Sequence, residues 1–126
     1  MNREELFAWA LDTFGVEPEY PWGDRNAVLR HGGNRKWFAA ILEVGRDKLG
    51  LPGEGMTDVV NVKCDPRLIA TLISQEGFHR AYHMNKEKWI SIRLDGSAPR
   101  DEIETLVTMS YDLTGVKPPR KKRDNI

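Results

Sequence analysis

The chain has one cysteine, Cys64, among 126 residues, so it can close no internal disulfide and offers no CxxC pair for redox exchange or for zinc. It has no apolar run near the roughly 20 residues needed to span a bilayer, which argues against a membrane role. The start, Met1-Asn2-Arg3-Glu4-Glu5, lacks a basic segment followed by an apolar one, so no secretory leader is expected and a cytoplasmic protein is. There is no phosphate-binding glycine loop and no nucleophile elbow. The 19 carboxylates are scattered, so no acid/base pair can be assigned. The sequence supports no enzymatic assignment and implies no cofactor or metal. Net charge is also missing, with 19 basic against 19 acidic residues. The sum hides a split: Lys117, Arg120, Lys121, Lys122 and Arg123 against Asp124 make the tail +4, which leaves the body at −4. An acidic body opposes phosphate binding unless its cations gather on one face.

What is present reads as one soluble domain. At 40% hydrophobic and 30% charged residues the chain is long enough to bury a single core. Asn2, with Glu5 three residues on, caps a first helix over 3–14, where Leu6, Phe7, Ala10, Leu11 and Phe14 recur at helical spacing until Gly15. Residues 27–31 and 37–44 read as strands joined by a hairpin at Gly32-Gly33-Asn34, the second apolar enough to be covered on both faces. A glycine-rich connection over 45–57, without periodicity of its own, leads to a third strand over 58–64. Asp65-Pro66 starts a second helix, expected over 66–75. Residues 89–94 alternate, Ile90, Ile92 and Leu94 against Trp89, Ser91 and Arg93, the pattern of a strand buried on one side. Pro99 opens a last helix carrying Ile103, Leu106, Val107, Ser110, Tyr111 and Thr114 on one face, with Gly115 at its end. The expected order is α-β-β-β-α-β-α, an α+β domain over residues 1–116 with a mostly antiparallel sheet covered by helices. The tail, 117–126, is expected to be disordered, and serves either as an electrostatic arm or as a solubilising terminus. A monomer is expected.

Several landmarks occur together: Pro21-Trp22-Gly23 before a strand, Val62-Lys63-Cys64-Asp65-Pro66, Tyr82-His83-Met84-Asn85-Lys86, Trp89 in an alternating strand, Leu94-Asp95-Gly96-Ser97 with Pro99 opening a helix, and Tyr111-Asp112-Leu113 at a helix end. In this combination, over roughly residues 3–115, the chain resembles the MmcQ/YjbR family of small bacterial proteins. The resemblance implies a fold like that of bacterial frataxin, sometimes described as a double-wing DNA-binding architecture. It does not by itself establish a function.

Two binding readings follow. In the first, DNA is the partner, held weakly or without sequence preference. The hairpins act as wings, Arg30, His31, Arg35 and Lys36 around Gly32 and Gly33 in one, Arg46 and Lys48 in the other, and the contact set is Arg30, Arg35, Lys36, Lys86, Lys88 and Arg93. Charged hairpins also serve solubility alone, and Asp47, Glu54 and Asp58 dilute the second loop. In the other reading, Tyr82, His83, Asn85, Lys86 and Trp89 form a small-ligand or protein-partner site. Those side chains could equally serve a turn, and Trp89 could face either way. Glu76, His79, His83 and Glu87 recur at spacings suited to a metal on a helix face, but Gly77 interrupts such a helix and no metal site is assigned. A frataxin-like iron role would need an acidic ridge, and Glu4, Glu5, Asp12, Glu17 and Glu19 are too scattered to make one. Cys64 is expected to be a buried, inert thiol.

Overall fold

The computed structural model describes residues 1–115, and the basic tail lies outside them. Three helices, α1 (Arg3–Phe14), α2 (Pro66–Leu72) and α3 (Arg100–Thr114), accompany five strands: β1 (Ala27–Arg30), β2 (Trp37–Gly45), β3 (Met56–Lys63), β4 (Phe78–Arg80) and β5 (Trp89–Arg93). The strands form one antiparallel sheet in the order β1-β2-β3-β5-β4. The expected α+β domain is thus observed, with one more strand than the alternation revealed. Phe78-His79-Arg80 is too short for a period of two to be visible.

Local chemistry sets the element ends. Asn2 Oδ1 accepts from the Glu5 amide at 2.8 Å while Glu5 Oε1 accepts from the Asn2 amide at 2.8 Å, the reciprocal box expected for α1. Asp65 Oδ1 accepts from the Arg67 amide at the start of α2, and the Arg67 guanidinium with that amide lowers the Asp65 pKa to about 2. Helix α2 stops at Leu72, short of the expected 75, because the chain must turn through Gly77. There φ is +92°, and a Cβ would lie 2.8 Å from Ser97 Oγ and 3.0 Å from the Ala98 nitrogen, so only glycine fits. The connection after β2 holds a short 3-10 turn, Arg46–Leu49, although the sequence shows no periodicity there.

All three helices lie on one face of the sheet. On that side Leu6 and Ala10 of α1, Ile69 of α2, and Ile103, Leu106 and Val107 of α3 pack on Leu29, Ile41, Val60, Val62, Ile90 and Ile92. Ser110 clamps α3 to the strands, donating to the Phe38 carbonyl at 2.6 Å and accepting from the Lys63 amide at 2.8 Å. The opposite face carries a smaller apolar cluster of Val28, Ala40, Leu42, Val44 and Val59, packed under Trp37, Leu49, Tyr82 and Met84. Loops, not helices, cover it.

A register shift decides what each face receives. Leu29 opposes Ala39, but Arg30 opposes Trp37, so β2 has one extra residue there, a β-bulge. Phe38 and Ala39 therefore both enter the helix-side core, while Trp37 is turned onto the loop-covered face. Strand β5 corrects the one-sided expectation. Ser91 is fully buried, because the loop after β4 folds back over it, and Arg93 is 6% exposed, beside Glu76 and Asp95.

Candidate functional site

Two loops make the site, each fixed by its own side chains. In the first, Glu19 pairs with Val28 across the outer edge of β1, and a turn over Tyr20–Gly23 closes on the Tyr20 carbonyl, with Gly23 at φ 73°. Asp24 Oδ1 accepts from the Asn26 amide at 2.9 Å, and Asn26 Oδ1 accepts from the Glu43 amide at 2.8 Å. These bonds anchor the loop to β2 and hold Trp22, half exposed, against Trp37. The two indole rings meet edge to face, with centroids 5.6 Å apart and planes at 81°.

The second loop, residues 81–88, crosses from β4 to β5. Fully buried Asn61 donates to the Tyr82 carbonyl at 2.7 Å and accepts from Ser91 Oγ, which itself accepts from the Tyr82 amide at 2.9 Å. Three polar groups that would each be costly alone are thereby satisfied. Lys86 Nζ donates to the Ala81 carbonyl at 2.9 Å, and Asn85 accepts from the Glu87 amide through Oδ1 and from the Lys88 and Trp89 amides through its carbonyl. This bonding places His83 at φ 63°, a left-handed conformation uncommon for a non-glycine residue. Its ring centroid lies 4.0 Å from that of Tyr82.

Between the loops is a cavity of about 370 Å³, within the range that holds small ligands. Ala40 and Leu42 form its floor and Trp22 and Trp37 its walls, with Asp24, Asn26, His83 and Met84 completing the lining.

Of the five residues expected to form a ligand site, only His83 lines this cavity. Tyr82 packs onto the strands beneath the loop, Asn85 serves the turn, and Trp89 begins β5 opposite Lys63. Lys86 borders a separate depression against α2, with Arg80 and Glu87. Trp22, Asp24, Asn26, Trp37 and Met84 went unselected by sequence reasoning. The available signal was a tryptophan in a proline- and glycine-rich turn, Pro21-Trp22-Gly23, where a core duty is improbable.

The basic residues are divided in the same way. Arg30 Nε lies 3.2 Å from Glu19 Oε1 and Arg35 Nη2 lies 2.9 Å from Glu19 Oε2, so one carboxylate answers both. The Arg30 guanidinium also rests 5.6 Å over the Trp37 ring. Arg93 is buried, with Asp95 at 3.5 Å and Glu76 at 3.9 Å, and presents no cation to a surface phosphate. The first hairpin is tied at its base to the end of α3. His31 Nε2 lies 2.9 Å from Thr114 Oγ1, the His31 ring packs on Tyr111, and Asn34 donates to the Thr114 carbonyl. The left-handed position in that turn falls on Arg35, at φ 62°, and not on Gly32 or Gly33. The second connection, with Arg46 and Lys48, leaves the far end of nine-residue β2, about 30 Å away at strand rise. Lys36, Lys86 and Lys88 are exposed, and the strand register places all three at the first hairpin's end of the sheet.

Three strands across the sheet from Ala40, His79 Nε2 is buried without a hydrogen-bond partner. Burial and the neighbouring Arg93 push the His79 pKa down, against the opposing pull of Asp95. Burial alone would raise Asp95, but hydrogen bonds from Ser97 and the Arg93 charge outweigh it and the net shift is downward. Glu76, His79, His83 and Glu87 share no helix, since the segment forms β4 and a loop. Among the described residues no group of three or more metal-ligating side chains assembles, and no helix is long and apolar enough to cross a membrane. Cys64 is buried, and burial followed by the Asp65 charge raises its thiol pKa.

A family model described as YjbR matches residues 11–113. The chain belongs to the YjbR family. Protein YyaQ of Bacillus subtilis is 40% identical over 116 residues, covering 90% of this chain and 98% of that one. A crystal structure of a Pseudomonas syringae protein superposes with a TM-score of 0.88 at 36% identity, over 91% of this chain and all of the other. A Deinococcus radiodurans protein shares the fold, with a TM-score of 0.70 at 22% identity over 98% of this chain and 86% of that one.

Proposed function

We propose that this YjbR-family protein is a small-ligand-binding module and that its site is the Trp22–Trp37 cavity on the loop-covered face of the sheet. The carrying observation is the pair of perpendicular indoles over an apolar floor, one of them half exposed. A tryptophan held half in water by a pinned loop adds little to the core and offers a large contact surface to a ligand. Backbone bonding fixes both loops, so the site is preformed and a ligand need not pay to order it.

The test is an NMR screen of the ¹⁵N-labelled full chain against mixtures of small metabolites, following the indole N–H signals of Trp22 and Trp37. A true ligand moves both, raises the melting temperature by mass action, and does neither in Trp22→Ala. A screen in which no compound moves those signals defeats the proposal.

A second reading is nucleic-acid binding through Lys36, Lys86 and Lys88, favoured by their exposure at one end of the sheet. Three phosphate contacts would give a salt slope of roughly −2 to −3. Fluorescence anisotropy with duplex and single-stranded oligonucleotides at low salt checks this, and the triple Lys→Gln variant should lose most of the slope. No binding at low salt removes this reading.

A further inference from the structure

We infer that the ligand of this cavity is an organic cation, an alkylammonium or guanidinium group on a compact apolar body. This rests on the small-ligand reading above and adds the class of ligand.

The first support is geometric. Rings at 81° with centroids 5.6 Å apart form a corner of two adjoining aromatic walls. Indole has the strongest attraction for a cation among the aromatic side chains, through the negative face of its π system. This chain already uses Trp37 in that way, with the Arg30 guanidinium 5.6 Å from its ring centroid.

The second support is charge. Among the described residues, Asp24 is the only Asp, Glu, Lys or Arg lining the cavity. One of its oxygens accepts from the Asn26 backbone amide at 2.9 Å and the other from the Asn26 side-chain amide at 3.4 Å, and among the described residues it makes no ion pair. The nearby guanidinium groups are matched elsewhere, Arg25 by Glu43 and Asp58, and Arg30 and Arg35 by Glu19. A phosphate or carboxylate in the cavity would face Asp24 with no Lys or Arg of the lining to offset it. An ammonium or guanidinium would find a counter-ion and indole surface from both tryptophans, with Ala40 and Leu42 in the same lining.

The experiment titrates the full chain with choline, with agmatine, with dimethylbutanol as the neutral carbon isostere of choline, and with indole-3-acetate as an anion. The indole N–H signals report occupancy. Choline and agmatine should bind about tenfold or more tightly than dimethylbutanol, with indole-3-acetate weakest. Asp24→Asn keeps the oxygen that accepts from the Asn26 backbone amide and gives up only the longer bond from the Asn26 side chain, so the loop should hold, and the cation preference should fall by about tenfold while dimethylbutanol binding stays unchanged. Trp22→Ala should abolish binding of all. Neutral or anionic compounds binding in a Trp22-dependent way while cations do not would overturn the cation assignment and leave the small-ligand reading standing. Cation binding insensitive to Asp24→Asn, or to Trp22→Ala, would overturn it as well. Indole signals unmoved by every probe would count against both.

Discussion

The two faces of the sheet solve different problems with the same strands. The helix-side face is almost wholly aliphatic and aromatic, and three helices seal it. The loop-side face combines five apolar residues with Asn61, Ser91 and Arg93 buried among loops, and leaves a cavity at one corner. A dry, interdigitated interface gains stability from every methylene but offers no opening. Loops pinned by buried hydrogen bonds contribute less burial, yet they can present indoles, a carboxylate and an imidazole at chosen positions. One face holds the fold and the other is where recognition can occur.

Substitutions should separate these roles. Phe38→Ala on the helix side, where the ring is fully buried against Phe14, His31 and Tyr111, should cost about 3–5 kcal/mol in urea denaturation. A loss below 1 kcal/mol on the same scale would mean that face does not hold the fold. Asn61→Ala should cost about 1–3 kcal/mol, because Ser91 and the Tyr82 carbonyl lose their partner. It should also speed hydrogen exchange at the Tyr82 amide more than in the helices. Uniform exchange across the chain would contradict the idea that Asn61 anchors this loop.

Smaller effects are expected nearer the cavity. His83→Gly relieves the left-handed strain and should stabilise the domain by a few tenths to about 1 kcal/mol. Destabilisation would show that the His83 contacts outweigh the strain. The lowered pKa of His79 has a definite sign. The unfolded chain takes up the proton near the ordinary 6.5 and the folded chain only at lower pH, so the contribution is fully present above about 6.5 and is lost as pH falls through the folded value. Urea midpoints should therefore drop between pH 7.5 and 5 in the parent and change less in His79→Gln. Asp95, also lowered, acts in the same direction but below its ordinary 3.8, a separate window. Equal slopes in parent and variant would remove His79 from the pH dependence.

Much of the fold was legible because short-range rules governed it. The Asn2–Glu5 box, Asp65-Pro66, the helical face from Ile103 to Thr114 and the apolar run from Trp37 to Val44 each express a local preference, and the structure realises them. Strand β4 was hidden because three residues carry too little pattern. Arg93 was misplaced because alternation says which residues share a face but not whether that face meets water. The candidate site was harder still. Trp22 and His83 are 61 positions apart, and neither stands out without the other.

The sequence alone determined the class of fold, the ends of most elements and the family, because capping, periodicity and turn chemistry act over a few residues. Only the tertiary structure decided the partners: that Glu19 answers both Arg30 and Arg35, that a bulge turns Trp37 away from the main core, and that Asn61 draws the loop after β4 across the open face. Those outcomes depend on register and on contacts between distant segments, where shifting a strand by one residue exchanges its two faces, and no local preference specifies them.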